Sequence, residues 1–392
     1  MRPTSSCVLV ALIPTLSVLI HSSIRIHAWS FQRRNVLQSV VLPVMGWWTT
    51  MPSEPEPSSV ALPSTSITIP MEYLPRLSAY VVRYTLGTDD AMVYTAIVDT
   101  GSPFLTVPSF CDQIVWDSPK QWGCFDRITH NNTPYAAPTM ERFDNNQGRV
   151  DWRTAVGGIT FVNATTTMPS QDNNNMDELI VRSSNSNESS IVFGVLDGSL
   201  LGGSGGVFLG LIREVQRGIR PSFLGQTRVQ SMVIDFRTRQ LTLLSSSSPS
   251  SEHTTNNTAA IPLVDDLRRY GDPTLHYTAQ ALHVRVNGRP IVADKRPIYV
   301  IFDTGVTGMV VSAELWEERN RVARQNGERS LWGTVEMDFG RTTLRAEQPL
   351  TTPLGTSPPW PGFRGHLIVA GLAFLDHKTL TIEMTNKRLW VE

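Results

Sequence analysis

From Glu72 to the C-terminus the chain alternates short apolar runs with clusters of Gly, Pro, Asn and Ser, the pattern of strands joined by tight turns. Residues 80–86 alternate Tyr and Val with Arg and Thr, residues 87–90 follow as a Gly-Thr-Asp-Asp turn, and residues 91–98 read as the next strand. Residues 229–244 and 380–391 each repeat the theme of strand, turn and strand. Helical spacing is convincing only at Ala313–Asn326, where Leu315, Trp316 and Val322 recur, Ser312 stands at the N-cap and Gly327 follows the end. A shorter helix is predicted over residues 213–217. The predicted class is mainly β.

Two of the apolar runs end in the same tripeptide. Thr95-Ala96-Ile97-Val98 leads into Asp99-Thr100-Gly101-Ser102, and Tyr299-Val300-Ile301-Phe302 leads into Asp303-Thr304-Gly305-Val306. Most single Asp-Thr-Gly sequences lie in surface turns. Here the context repeats as well: each half goes on to an apolar-apolar-Gly stretch (Phe208-Leu209-Gly210, Val369-Ala370-Gly371) and closes on a hairpin. An internal two-fold repeat is the economical explanation. Residues 245–258, rich in Ser, Thr and Asn, cannot bury a core and read as an exposed linker. The linker divides residues 71–244 from 259–392, two like lobes whose Asp turns are expected to face each other.

The 392 residues are 41% hydrophobic and 18% charged with a net charge of −1, a globular composition that suits one large domain or two lobes. Near-neutrality and the lack of a long basic run argue against nucleic acid as the main partner. Of three cysteines, Cys7 lies in a targeting segment, and Cys111 and Cys124 either close a small loop as a disulfide or stand as two buried thiols. No Cys/His cluster has metal-ligand spacing, so neither metal nor cofactor is expected. Gly202-Gly203-Ser204-Gly205-Gly206 lacks the Lys-Ser/Thr of a phosphate loop and reads as a flexible loop. The eight histidines show no pairing with a nucleophile and are read as surface or core residues. Trp360, between Pro359 and Pro361, reads as part of a rigid loop near a cleft or the surface.

At the N-terminus Arg2 precedes an apolar stretch, residues 7–20, with the length of a signal-peptide core and too short to span a bilayer. Residues 1–30 are therefore read as a signal peptide. Arg33-Arg34 then opens a second apolar run through Trp48, a second translocation address. Residues 31–70, Pro/Ser-rich toward their end, form this second targeting or pro-like segment. Two addresses in series resemble bipartite plastid presequences, which lead to the thylakoid lumen. A plain secretory signal with a loose pro-segment leads instead through the endomembrane route to the exterior or a vacuole. No membrane span is expected in the mature chain. Sequons at Asn131, Asn163, Asn187 and Asn256 are compatible with glycosylation on a secretory route.

The paired motifs, the matching Gly210 and Gly371 and the closing hairpins resemble the pepsin-like aspartic proteases, over roughly Glu72 to the C-terminus. The resemblance implies a bilobal fold of two pseudo-symmetric β lobes with a substrate cleft between them. It also implies an aspartic endopeptidase in which a water between Asp99 and Asp303 is activated without a covalent intermediate. Two carboxylates at hydrogen-bonding distance cannot both ionise, so the pair shares a proton. The charged member then serves as general base and the protonated one supplies a proton to the substrate carbonyl. Gly101 and Gly305 permit a sharp turn with their N–H groups aimed at the carboxylates. The resemblance makes Thr100 and Thr304 the links across the lobe interface and Ser102 a donor to Asp99.

The chain departs from the family in three places. Where the family has a hydroxyl three positions after the second aspartate this chain has Val306, with Thr307 one residue late among the residues supporting the pair. Thr106 stands where the family has a tryptophan before Val107-Pro108. Phe143 lies at the distance expected of a tyrosine on the hairpin flap, and Tyr135 comes earlier. An altered flap is expected, with altered specificity or slower turnover. Residues 31–70 carry few basic residues to cover an acidic cleft, so acid-triggered self-activation is not supported. The other reading is a pepsin fold that binds or inhibits without cutting. Such relatives typically lose an aspartate or a motif glycine, and this chain keeps both of each. Both motifs stand in one chain, which rules out a half-size homodimer; a monomer acting on polypeptide substrates is expected.

Overall fold

The computed structural model describes residues 65–87, 92–109, 122–125, 133–143, 146–167, 190–196, 207–216, 220–245, 259–292, 294–328, 332–355 and 360–392. Residues 1–64, which take in the expected signal peptide and most of the second expected segment, Cys111, the sequons at Asn131, Asn187 and Asn256, the glycine loop at 202–206 and linker residues 246–258 lie outside these. So, in consequence, does the Cys111–Cys124 pairing. Asn163 is described and exposed.

The described residues are mainly strand, arranged in five sheets. Two strands are buried on both faces, which is why they read as continuous apolar runs rather than alternating ones. Tyr94–Asp99 lies between the antiparallel Ala79–Leu86 and the parallel Phe208–Gly210. Ile298–Phe302 lies in the same way between Thr278–Ala281 and the parallel His366–Ala370. The parallel registers set Gly210 beside Asp99 and Ala370 beside Phe302, so each apolar-apolar-Gly stretch ends against an Asp turn. A β-carbon on Gly210 would strike the backbone of Phe104, and one on Gly371 the carbonyl of Val306. The repeat seen in the sequence is thus a repeat of this crossing.

A seven-stranded sheet joins the two halves. Its closing hairpins, Ser231–Asp235 with Gln240–Leu244 and Thr379–Glu383 with Arg388–Val391, meet edge to edge with Val233 opposite Thr381. The fold begins earlier than the boundary at residue 71: Ser66–Pro70 is a strand of this sheet, paired with Gln240–Leu244. Its alternation of Ile with Ser and Thr buries Ile67 and Ile69. A further sheet carries a long hairpin, Thr133–Phe143 with Asn146–Val156, whose register slips between Pro134 and Ala136 and again before Thr139. Such bulges bend a strand and re-aim its side chains.

The Ala313–Asn326 helix forms where its spacing predicts, and Gly327 closes it with a left-handed φ of 62°. Ser312 occupies the N-cap without a side-chain capping bond. The shorter helix expected at 213–217 does not form over its described residues. Val215 bridges Thr274, and the Glu214 carbonyl and Gln216 N–H are taken by Leu275 and Pro273, so cross-chain pairing replaces a local turn. Among the described residues no helix is long and apolar enough to cross a membrane.

Candidate active site

Asp99 ends its strand and Asp303 follows the end of its own. Each carboxylate is held by the turn it opens: Gly101 N–H donates to Asp99 Oδ1 and Gly305 N–H to Asp303 Oδ1, both at 2.8 Å. The threonines between them interlock. Thr100 N–H donates to Thr304 Oγ1 at 3.1 Å, and Thr304 N–H donates to Thr100 Oγ1 at 3.0 Å. Each hydroxyl passes its own proton across, Thr100 to the Phe302 carbonyl at 2.9 Å and Thr304 to the Val98 carbonyl at 2.7 Å. This network brings two aspartates far apart in sequence face to face. A β-carbon at Gly305 would stand 2.7 Å from Asp99 Oδ1, and one at Gly101 would overlap the Asp303 carboxyl. Only glycine leaves room for the opposite carboxyl at either turn.

Asp99 and Asp303 are 3% and 9% exposed and hydrogen-bond to each other. Burial raises both above the ordinary carboxylate range. For Asp303 the charge of Asp99 and the bond to it add to that rise, and the Gly305 N–H is the counterweight. For Asp99 the bond from Asp303, the Gly101 N–H, Ser102 and the positive side of His276 all work against burial. The rise is the larger at Asp303, so of the two carboxyls Asp303 keeps its proton to the higher pH. Ser102 Oγ is fully buried and forms no hydrogen bond of normal geometry, so its pull on Asp99 is that of a nearby dipole.

The two turns differ at one position. Val306, where Asp303 would otherwise meet a hydroxyl, is 1% exposed and packs with Leu367 and Val369. The Thr307 hydroxyl points elsewhere, donating to the Ser78 carbonyl at 3.3 Å.

On the long hairpin Phe143 ends the first strand, opposite Asn146; its side chain lies outside the described atoms. Tyr135 is 48% exposed. Thr106 turns inward, its Oγ accepting from Phe208 N–H at 2.8 Å. An indole does serve the hairpin, but from a residue passed over in the sequence. Trp152 packs edge-on against Phe104 with ring centroids 5.0 Å apart, and its Nε1 donates to Thr139 Oγ1 at 2.8 Å. Thr139 donates onward to Glu141, and Arg220 lies 5.9 Å over the indole.

His276 is a second residue missed in the sequence. Its Nδ1 sits 2.7 Å from Asp272 Oδ2, and Gly101, Pro103, Asp272, Thr274 and Trp360 line the same small cleft. Burial disfavours a charge on the ring, but Asp272, Asp99 and the Gly101 backbone together outweigh it and raise its affinity for a proton. The Asp-x-x-x-His spacing was legible; that this segment would fold onto the first Asp turn was not. A cavity of about 640 Å³ lies not over the aspartates but behind Asp272, toward Arg213, Ser222 and Lys387.

No family model matches the chain, and no curated protein matches it.

Proposed function

We propose that this chain is an aspartic endopeptidase of the pepsin-like kind, with two pseudo-symmetric lobes and a polypeptide cleft between them. The observation that carries the reading is the reciprocal Thr100–Thr304 network, which holds the two aspartate turns against each other. A shared proton suits both steps of amide hydrolysis. Asp99 takes a proton from a water bound between the carboxyls as the water oxygen attacks the scissile carbonyl carbon. Asp303 gives its proton to the carbonyl oxygen, yielding a neutral diol on the tetrahedral carbon. Collapse then breaks the C–N bond, the amine leaves with the proton held by Asp99, and one diol hydroxyl returns its proton to Asp303.

Burial supports this chemistry, because a carboxylate in a water-poor site is a stronger base than one in bulk solvent. The test is digestion of a denatured protein mixture by the purified chain, scanned from acidic to neutral pH. The expected result is cleavage that a statine-type transition-state mimic blocks. A folded chain that cuts nothing and binds no such mimic contradicts the reading and leaves a non-catalytic binding or inhibitor protein.

A further inference from the structure

We propose that His276, seated on Asp272, is a positioning residue for the aspartate pair: as a cation against the Gly101 turn it keeps Asp99 the charged member. The inference rests on the hydrolase reading above.

The geometry is that of a built ion pair. Asp272 is 2% exposed and the His276 side chain 12% exposed, with 2.7 Å between Oδ2 and Nδ1. Neither charge is tolerable alone at that burial. Asp272 is itself fixed, its Oδ1 accepting from Thr274 N–H at 3.1 Å and its backbone carbonyl from Gln216 Nε2 at 2.7 Å. The ring also lies 3.1 Å from Thr274 Oγ1. On the side of the aspartates it shares a small cleft with Gly101, whose N–H donates to Asp99 Oδ1 at 2.8 Å and where a β-carbon would overlap the Asp303 carboxyl. On its other side Arg213, Glu214, Asp265, Lys387 and Tyr277 share a cleft with it, and Arg268 lies behind Asp272. Lys387 is paired with Asp265, and Tyr277 donates its hydroxyl proton to the Leu211 carbonyl. Arg213 and Glu214 offset each other in sign. The acidic neighbours that decide the ring's charge are therefore Asp272 and Asp99.

The coupling is reciprocal: whatever His276 does for Asp99, Asp99 does for His276. Two measurements follow. Histidine-labelled protein is titrated by NMR as wild type, Asp99→Asn and Asp272→Asn. The expected result is a His276 signal that keeps its proton above the ordinary histidine range of about 6.5 and loses it at lower pH in both variants. A His276 that titrates at or below that range and ignores Asp99→Asn overturns the proposal, whether or not the chain cleaves anything.

The second measurement is the pH profile of kcat/KM for His276→Gln and Asp272→Asn. Removing the cation makes Asp99 harder to ionise, so the acidic limb moves up by about one pH unit in each. The double variant moves no further than His276→Gln alone. Variants that stay folded with an unmoved acidic limb contradict the proposal. A wild-type chain that cleaves nothing contradicts the hydrolase reading instead, and the NMR titration then decides the coupling by itself.

Discussion

Thr100 and Thr304 each donate an N–H to the other's hydroxyl, at 3.1 and 3.0 Å, and each hydroxyl then donates to the strand that precedes the other's turn. The relationship is nearly symmetric, and it is buried: the two residues are 0% and 2% exposed. Loss of either hydroxyl leaves an N–H on one turn and a carbonyl on the opposite strand without partners. Thr100→Val and Thr304→Val should each cost about 2 kcal/mol or more, read from urea unfolding. Thr→Ser at the same positions should cost much less. Valine variants as stable as wild type would show that the network does not hold the turns.

Val306 leaves Asp303 without the hydroxyl that Ser102 brings near Asp99. Val306→Thr supplies a donor to the ionised form of Asp303 and so makes that form easier to reach. The basic limb of the kcat/KM profile, where Asp303 loses the shared proton, should move to lower pH by about one unit. An unmoved basic limb would mean that the new hydroxyl does not reach the carboxyl, or that the limb belongs to another group.

The aspartate pair also makes stability depend on pH. Asp303 has its folded-state pKa raised well above 3.8, by burial first and by Asp99 second. Below about pH 4 both folded and unfolded chains hold the proton, and the contribution is fully present. As pH rises from there the unfolded chain releases the proton first, so stability falls until the folded carboxyl ionises as well. Unfolding free energy measured across this window should fall with rising pH in wild type, and less steeply in Asp303→Asn. Equal slopes would contradict the large rise at Asp303.

Trp152 gives the long hairpin an anchor. Trp152→Phe keeps an aromatic edge against Phe104 and gives up the bond to Thr139, so stability should drop by about 1 kcal/mol. The KM for peptide substrates should rise more than kcat falls, since the hairpin is taken to close over bound substrate rather than to touch the reacting atoms. A fall in kcat alone would place Trp152 in the chemistry instead.

Much of this was legible in the sequence because the informative residues are local. Each Asp-Thr-Gly follows a strand whose apolar run is continuous, and such a run marks burial on both faces. The helix at Ala313–Asn326 carried its own stop signal in Gly327. What was not legible depends on contacts between distant segments. A short helix is expected at 213–217, yet in its described residues Leu275 and Pro273 claim the backbone groups of Glu214 and Gln216. Ser66–Pro70 reads as the tail of a Pro/Ser-rich stretch until Gln240–Leu244 is placed beside it. His276 and Trp152 carry no motif; only the fold brings one to the Gly101 turn and the other to Phe104.

That Asp99 and Asp303 act as one unit is tested most directly by kcat/KM across acidic to neutral pH for wild type, Asp99→Asn and Asp303→Asn. Wild type should give a bell-shaped profile. Each variant should remain folded and lose activity by about a thousandfold, because neither carboxyl can do the work of both. A folded variant of either aspartate that still cleaves at a rate near wild type would contradict the claim.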